Sequence, residues 1–238
     1  MKLGARRLFD ADRFVEATEV RERLPEVLSR GCRDVADPHR LRDLEPAPED
    51  ALGLLEESLR VLRTDHLDLW QMHDLRTMGD LDAMFDSGGA IEAAEAAKKA
   101  GKIRFIGLTG HHDPDILLAA MDRYAFDNVL LPINPADPAR RPFVTTVIPK
   151  ARAQGMGVVG MKVLAAGQLV ADGAATAEEC IRYAMAHADT LIIGCSSIAE
   201  VRANLRVGRT KAPMTKDEQL ALESRIARRA SRYASFKA

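Results

Sequence analysis

Cysteine is scarce in this chain: Cys32, Cys180 and Cys195 are the only three among 238 residues. An odd number at wide spacing, with no CxxC, excludes a disulfide framework and a zinc knuckle and leaves free thiols. Net charge is nearly absent as well. Lys and Arg total 34 against 35 Asp and Glu, a formal charge of -1, which argues against a dedicated nucleic-acid binder. No apolar run approaches the ~20 residues of a membrane helix, and Met1 to Phe9 lacks the apolar stretch of a signal peptide. A cytoplasmic protein without a membrane partner is expected. No GxGxxG or GxxxxGK[ST] follows any apolar run, which weakens the Rossmann and P-loop alternatives.

What is present is a regular alternation. Short apolar runs at Leu67–His73, Ile103–Thr109, Asn128–Asn134, Gly157–Lys162 and Thr190–Gly194 read as strands. Amphipathic stretches between them read as helices. Glu49–Arg63 has leucines at helical spacing, and Ala90–Ala100 ends at Gly101, a natural left-handed cap. Thr176 with Glu179 and Thr215 with Glu218 fit capping boxes. No linker rich in Pro, Gly or Ser divides this region, so one domain over 1–238 is expected. Its length lets it bury roughly three quarters of the surface of the unfolded chain.

Parallel strands joined by helices close into a barrel or form a doubly wound sheet, and both bind ligands at the strand C-terminal ends. His73, Thr109, Asn134, Lys162 and Ser196 all fall at or just past such ends. The expectation is a (β/α)8 barrel. Two segments depart from the pattern. Residues 1–48 show no clear strand, with Pro38, Pro46 and Pro48 close together. From Leu205 to Ala238 there are nine basic residues against three acidic ones. A basic tail of this kind is expected to be a solvated helix face lying against an acidic body.

Five stretches together resemble the aldo-keto reductase family: Leu54–Asp74, Gly88–His111, Asp127–Asn134, Gly155–Leu169 and Asp189–Leu205. The resemblance implies an α/β fold, a (β/α)8 TIM barrel of aldo-keto reductase type, incomplete at the N-terminus with its first strand absent. It also implies NADPH or NADH as cofactor, a small-molecule carbonyl substrate, and hydride transfer between them. His73 matches the D-L-x-x-x-H motif whose histidine hydrogen-bonds the substrate carbonyl. Gly194, Cys195, Ser196, Ser197 and Asn204 match the loop and helix start that hold the adenosine end. Lys162, Leu164 and Gly167 match the loop over the pyrophosphate, Met161 holds the place of the ring-stacking aromatic, and Thr109 lies at the carboxamide position. Glu200 stands where NADPH-preferring members carry basic residues, so NADH is at least as strong an expectation.

The same comparison implies losses. Leu8–Leu24 resembles a damaged D-T-A-x-x-Y-x-x-S-E segment, with Asp10 as the catalytic aspartate and Phe14 where the proton-donating tyrosine belongs. No lysine occurs between Lys2 and Lys98, so the tetrad lysine is missing too; only His39, Arg40 and Arg42 lie nearby. The expectation is a truncated or degraded member with weak or lost activity, arising from a shifted frame, a mis-assigned start or decay. Open barrel edges would invite self-association. The alternatives are an inactive nucleotide-binding or structural relative and, ranked lower, a Schiff-base lyase using Lys162. A metal hydrolase on His73, His111 and His112 ranks lowest, since no carboxylate cluster accompanies them, and no metal is expected.

Overall fold

A computed structural model describes residues 48–234, 236 and 237. Asp10, Phe14 and the rest of Leu8–Leu24 lie outside the described residues, as do Cys32, His39, Arg40 and Arg42. The described residues fall into two compact units, one of residues up to Leu67 with Phe85–Lys102, the other of Asp68–Met84 with residues from Ile103 onward.

The first unit pairs helix α1 (Pro48–Leu62) with a helix at Ala90–Lys99. Leu55 and Leu59 of the former and Ile91, Ala94 and Ala97 of the latter are buried, the i, i+3, i+4 spacing that gives each helix one apolar face. Glu92 accepts from the Gly88 amide at 2.8 Å and supplies negative charge to the first turn. Gly101, at φ 75°, ends the helix in the left-handed conformation that glycine adopts without strain. Lys102 pairs with Glu56.

The second unit holds a sheet of β1 (Leu67–Met72), β2 (Ile103–Thr109), β3 (Asn128–Pro132), β4 (Gly157–Met161) and β5 (Thr190–Leu191), in that spatial order. The pairs β2–β3, β3–β4 and β4–β5 are parallel. Strand order equal to chain order, without reversal, is the wall of a singly wound barrel; a doubly wound sheet has a switch point. The α-helices of the described residues, numbered onward, are α2 (Met78–Phe85), α3 (Ala90–Lys99), α4 (Pro114–Arg123), α5 (Val147–Ala153), α6 (Gln168–Ala171), α7 (Ala177–Met185), α8 (Ile198–Thr210), α9 (Lys216–Ile226) and α10 (Ala230–Tyr233).

The two faces of the sheet differ. Val129, Leu131, Ile133 and Val158 are wholly buried, on the side where α5 packs on β4 and α7 on β5. The opposite face, the interior in a closed barrel, carries Gln71, Gly107, Asn128, Leu130 and Met161, with Leu130, Gln71 and Met161 only half-buried. Here Gln71 Nε2 donates to Asn128 Oδ1 at 2.6 Å. A Cβ at Gly107 would lie 3.0 Å from that same oxygen and 3.0 Å from Gln71 Cγ, so any larger residue there would press on the bridge across β2.

Several strands end earlier than their apolar runs suggest. His73 lies beyond β1, Asn134 beyond β3, Lys162 beyond β4, and Ile192 to Gly194 beyond β5. Asp74 and Lys162 adopt φ of 57° and 51°, which an extended pleat cannot accommodate. Asn134 replaces ladder bonds with its own side chain, donating from Nδ2 to Lys162 O at 3.1 Å and accepting from the Ala136 amide at 3.1 Å.

Both capping boxes form, Thr176 with Glu179 on α7 and Thr215 with Glu218 on α9. The basic tail does lie against acidic partners: Arg225 on Glu179 at 2.6 Å, Lys211 on Glu178 at 3.3 Å and Arg232 on Asp172 at 3.3 Å. Among the described residues no helix is long and apolar enough to cross a membrane.

Candidate functional site

At the C-terminal end of β4 the chain turns sharply. Lys162, Ala165, Ala166 and Gly167 have φ of 51°, 47°, 56° and 86°, and three of the four are not glycine. Left-handed geometry costs such residues about 1–2 kcal/mol each, and persists only where the surroundings impose it. Here the turn bonds Ala165 N to Lys162 O at 2.8 Å and Gly167 N to Leu164 O at 2.9 Å, while Val163 and Ala165 are buried beneath it.

This turn forms one wall of a cavity of about 730 Å³ whose other wall is the start of α8. Met161, Lys162, Leu164 and Gly167 line it from one side, and Gly194, Ser196, Glu200 and Asn204 from the other. Seven of these eight are residues named from the sequence as cofactor contacts. Ser197 caps α8, its hydroxyl accepting from the Glu200 amide at 3.2 Å, and the Glu200 carboxylate accepts from the Ser196 amide at 2.7 Å. Glu200 therefore stabilises the helix start as well as placing negative charge in the cavity. Cys195 faces a neighbouring cavity of about 640 Å³ that also touches Asn204, whose Nδ2 donates to Cys195 Sγ at 3.2 Å. Thr109 stands apart from both: it is buried, and its hydroxyl oxygen accepts from the Asp74 amide at 2.7 Å.

His73 is exposed just beyond β1. The residue after it is the one that turns inward. Asp74 Oδ2 accepts from Arg76 Nε at 2.7 Å, and Asp74 Oδ1 faces His111 Nδ1 at 3.0 Å and His112 Nε2 at 3.8 Å. The two imidazole centroids are 4.2 Å apart. The pair takes no carboxylate from its own loop, where Asp113 caps α4 by accepting from the Asp115 amide. The fold supplies one, because the neighbouring strands β1 and β2 bring the residue after His73 next to the loop that follows Thr109.

Burial governs the ionisation of this group. It pushes His111 down to about 4, with the Lys162 charge adding to the effect and Asp74 opposing it. His112 is lowered by burial as well. Burial alone would raise the Asp74 carboxyl, but the Arg76 hydrogen bond and the charges of His111, Arg76 and His112 hold it below the usual value. Lys162 is lowered by burial, against the pull of Asp74, and its Nζ sits 4.4 Å over the Phe236 ring.

The tyrosines do not converge here. Tyr183 donates its hydroxyl to Glu223 at 2.8 Å and Tyr233 to Asp172 at 3.2 Å, and Tyr124 follows the end of α4 next to Phe126.

Comparison with known proteins gives a consistent family. Residues 46–175 match the model of the aldo/keto reductase family. The chain is similar to the uncharacterized oxidoreductase YrpG of Bacillus subtilis, 29% identical over 54% of this chain and 41% of that protein. It is also similar to L-galactose dehydrogenase of Arabidopsis thaliana, 30% identical over 50% of this chain and 36% of that protein. The matched stretch thus spans less than half the length of these relatives. Among solved structures, the holo form of aldo-keto reductase AKR11C1 from Bacillus halodurans superposes with a TM-score of 0.62 at 23% identity, covering 77% of this chain and 69% of that one. At that identity the likeness speaks for the fold.

Proposed function

Because this chain belongs to the aldo/keto reductase family, we propose that it binds NADH or NADPH and moves hydride slowly between the nicotinamide and a small carbonyl or alcohol. The observation that carries this reading is the convergence of Met161, Lys162, Leu164, Gly167, Gly194, Ser196 and Asn204 on one cavity. Its size falls within the range of cofactor sites. Its donor set fits a dinucleotide, with an ammonium on one wall and a helix N-terminus on the other. When bound, the nicotinamide supplies the hydride. Lys162 would pair with the pyrophosphate, the α8 start with Ser196 and Asn204 would hold the adenosine end, and the Met161 thioether would pack on the ring. His73 would donate to the carbonyl oxygen.

Slow or lost turnover follows from the proton donor. Phe14 holds the tyrosine position, and no lysine lies between Lys2 and Lys98. Tyr183 and Tyr233 have their hydroxyls on carboxylates. A non-catalytic nucleotide binder is the second reading, favoured by the same observation. A small-molecule partner in the cytoplasm suits a net charge of -1 better than nucleic acid does.

Titration of the chain with each nucleotide, then steady-state reduction of a reactive aldehyde, tests both parts. Weak saturable binding is expected, with turnover at least about 10²-fold below ordinary values, the usual worth of a lost general acid. Absence of saturable binding removes the cofactor reading. Turnover near about 1–10 s⁻¹ removes the claim of impaired chemistry.

A further inference from the structure

We propose that Asp74, His111 and His112 form a binding site for a divalent transition ion of the zinc class. One donor atom from each residue lies within 4.8 Å of the other two. Around a tetrahedral ion with bonds near 2.0 Å, donors stand about 3.3 Å apart, and the spacings here of 3.0 and 3.8 Å to Asp74 Oδ1 bracket that value. Two imidazoles and one carboxylate are the donor types that such ions take.

A second observation points to a ligand. The Asp74 side chain is only 9% exposed, and both Asp74 Oδ1 and His112 Nε2 are buried without a hydrogen-bond partner. Buried polar atoms are normally satisfied, and each exception calls for an explanation; an ion between them satisfies both at once. Arg76, held on the other carboxylate oxygen, orients Asp74 as an outer-shell partner orients a metal-bound carboxylate. Three protein donors leave a fourth position for water or a carbonyl oxygen, the arrangement of an open site. The positive charges of Arg76 and Lys162 oppose a dication, so the ion is exchangeable rather than permanently held.

The cofactor cavity plays no part in this inference, and its test uses the metal alone. Tag-free chain, stripped with chelator, is titrated with Co²⁺. One equivalent should bind with the visible absorption of a tetrahedral site and be displaced by Zn²⁺. Asp74→Asn, His111→Ala and His112→Ala should each weaken binding at least about tenfold, the lower end of losses seen even for outer-shell changes, while His73→Ala retains it. No stoichiometric binding, or binding unchanged in the His111→Ala/His112→Ala double variant, overturns the proposal. Should those variants fail to fold, the wild-type chain still decides. Diethyl pyrocarbonate labelling read by peptide mass spectrometry should show His111 and His112 protected by Zn²⁺, and undiminished labelling of both overturns the proposal equally.

Discussion

Lys237 Nζ lies 2.5 Å from Asp137 Oδ1, with both side chains fully shielded from solvent. The ammonium also donates to the carbonyls of Asp137, Arg140 and Arg141 at 3.1, 2.8 and 3.2 Å. Asp137 in turn accepts from the amides of Phe143 and Val144 at 3.2 and 2.9 Å. Burial pushes the Asp137 carboxyl up against the pull of Lys237, and pushes the Lys237 ammonium down against the pull of Asp137. Breaking such a pair leaves one buried charge without its partner, which typically costs about 3–5 kcal/mol. Lys237→Met should therefore destabilise the fold by about 3 kcal/mol. Asp137→Leu should cost more, since two amides lose their acceptor as well. The double variant should cost clearly less than the two single losses combined. Chemical denaturation measures all three, and additive losses would refute the coupling.

His187 gives the fold a pH dependence. Its ring centroid lies 5.0 Å from that of Tyr183 with the planes tilted by 50°, and its Nε2 is buried without a hydrogen-bond partner. Burial lowers its pKa, with the nearby Gln219 side chain opposing the shift. The unfolded chain therefore takes up a proton first as pH falls through about 6.5. The stability held by neutral His187 is complete above that value and is lost as pH drops below it. Melting temperature should decline between pH 7 and pH 5.5, by about 2–4 °C for each kilocalorie lost. His187→Gln should reduce that slope without abolishing it, because burial lowers His111 and His112 in the same sense. An identical slope in the variant would show that His187 does not contribute.

Local signals were legible in the sequence. The Thr176 and Thr215 capping boxes depend on residues three apart, and both form. The strand centres show as short apolar runs; of the cavity residues, Lys162 and Ser196 stood out by their place past strand ends, and Met161, Leu164, Gly167, Gly194 and Asn204 were named from the resemblance to the family. The Asp74 cluster was not legible, because it joins the exits of two strands, and the carboxylate nearest His111 in the chain, Asp113, is the cap of α4 instead. The early end of β5 was not legible for another reason. Its apolar run continues through Ile192 and Ile193, but after Ile192 N reaches Gly160 O at 2.8 Å the chain leaves β4, and Ile192 is 55% exposed. Hydrophobicity marks a residue's preference for burial, whereas pairing depends on a neighbour.

The two described cysteines should differ in reactivity. Cys180 is buried, and burial, with the Glu179 charge, pushes its thiol up to about 12. Cys195 is exposed beside Asn204. Since the thiolate is the reacting form, iodoacetamide should label Cys195 in the native chain and Cys180 only after unfolding. NADH should slow labelling of Cys195 if the adenosine end seats at the start of α8. Peptide mass spectrometry over a time course reads both. Equal rates at the two cysteines would contradict the packing of α7, and a nucleotide without effect would contradict the seat.

Glu200 supplies a test of nucleotide choice. Its carboxylate lines the cavity and accepts from the Ser196 amide at 2.7 Å, so in the proposed seat a phosphate on the adenosine ribose would meet a negative charge. Substitution to Gln keeps an acceptor for the capping bond and removes the charge; substitution to Lys reverses the charge. Charge effects at a partly solvated site are worth about 1 kcal/mol, or about fivefold in affinity. The Kd ratio of NADPH to NADH should accordingly fall by about that factor in Glu200→Gln and by more in Glu200→Lys, with NADH binding itself nearly unchanged in the former. The shift should shrink as salt is raised, because exposed charges are screened. Isothermal titration with both nucleotides at two ionic strengths measures this. A ratio that stays the same in both variants would place the adenosine phosphate elsewhere and reduce Glu200 to a helix cap.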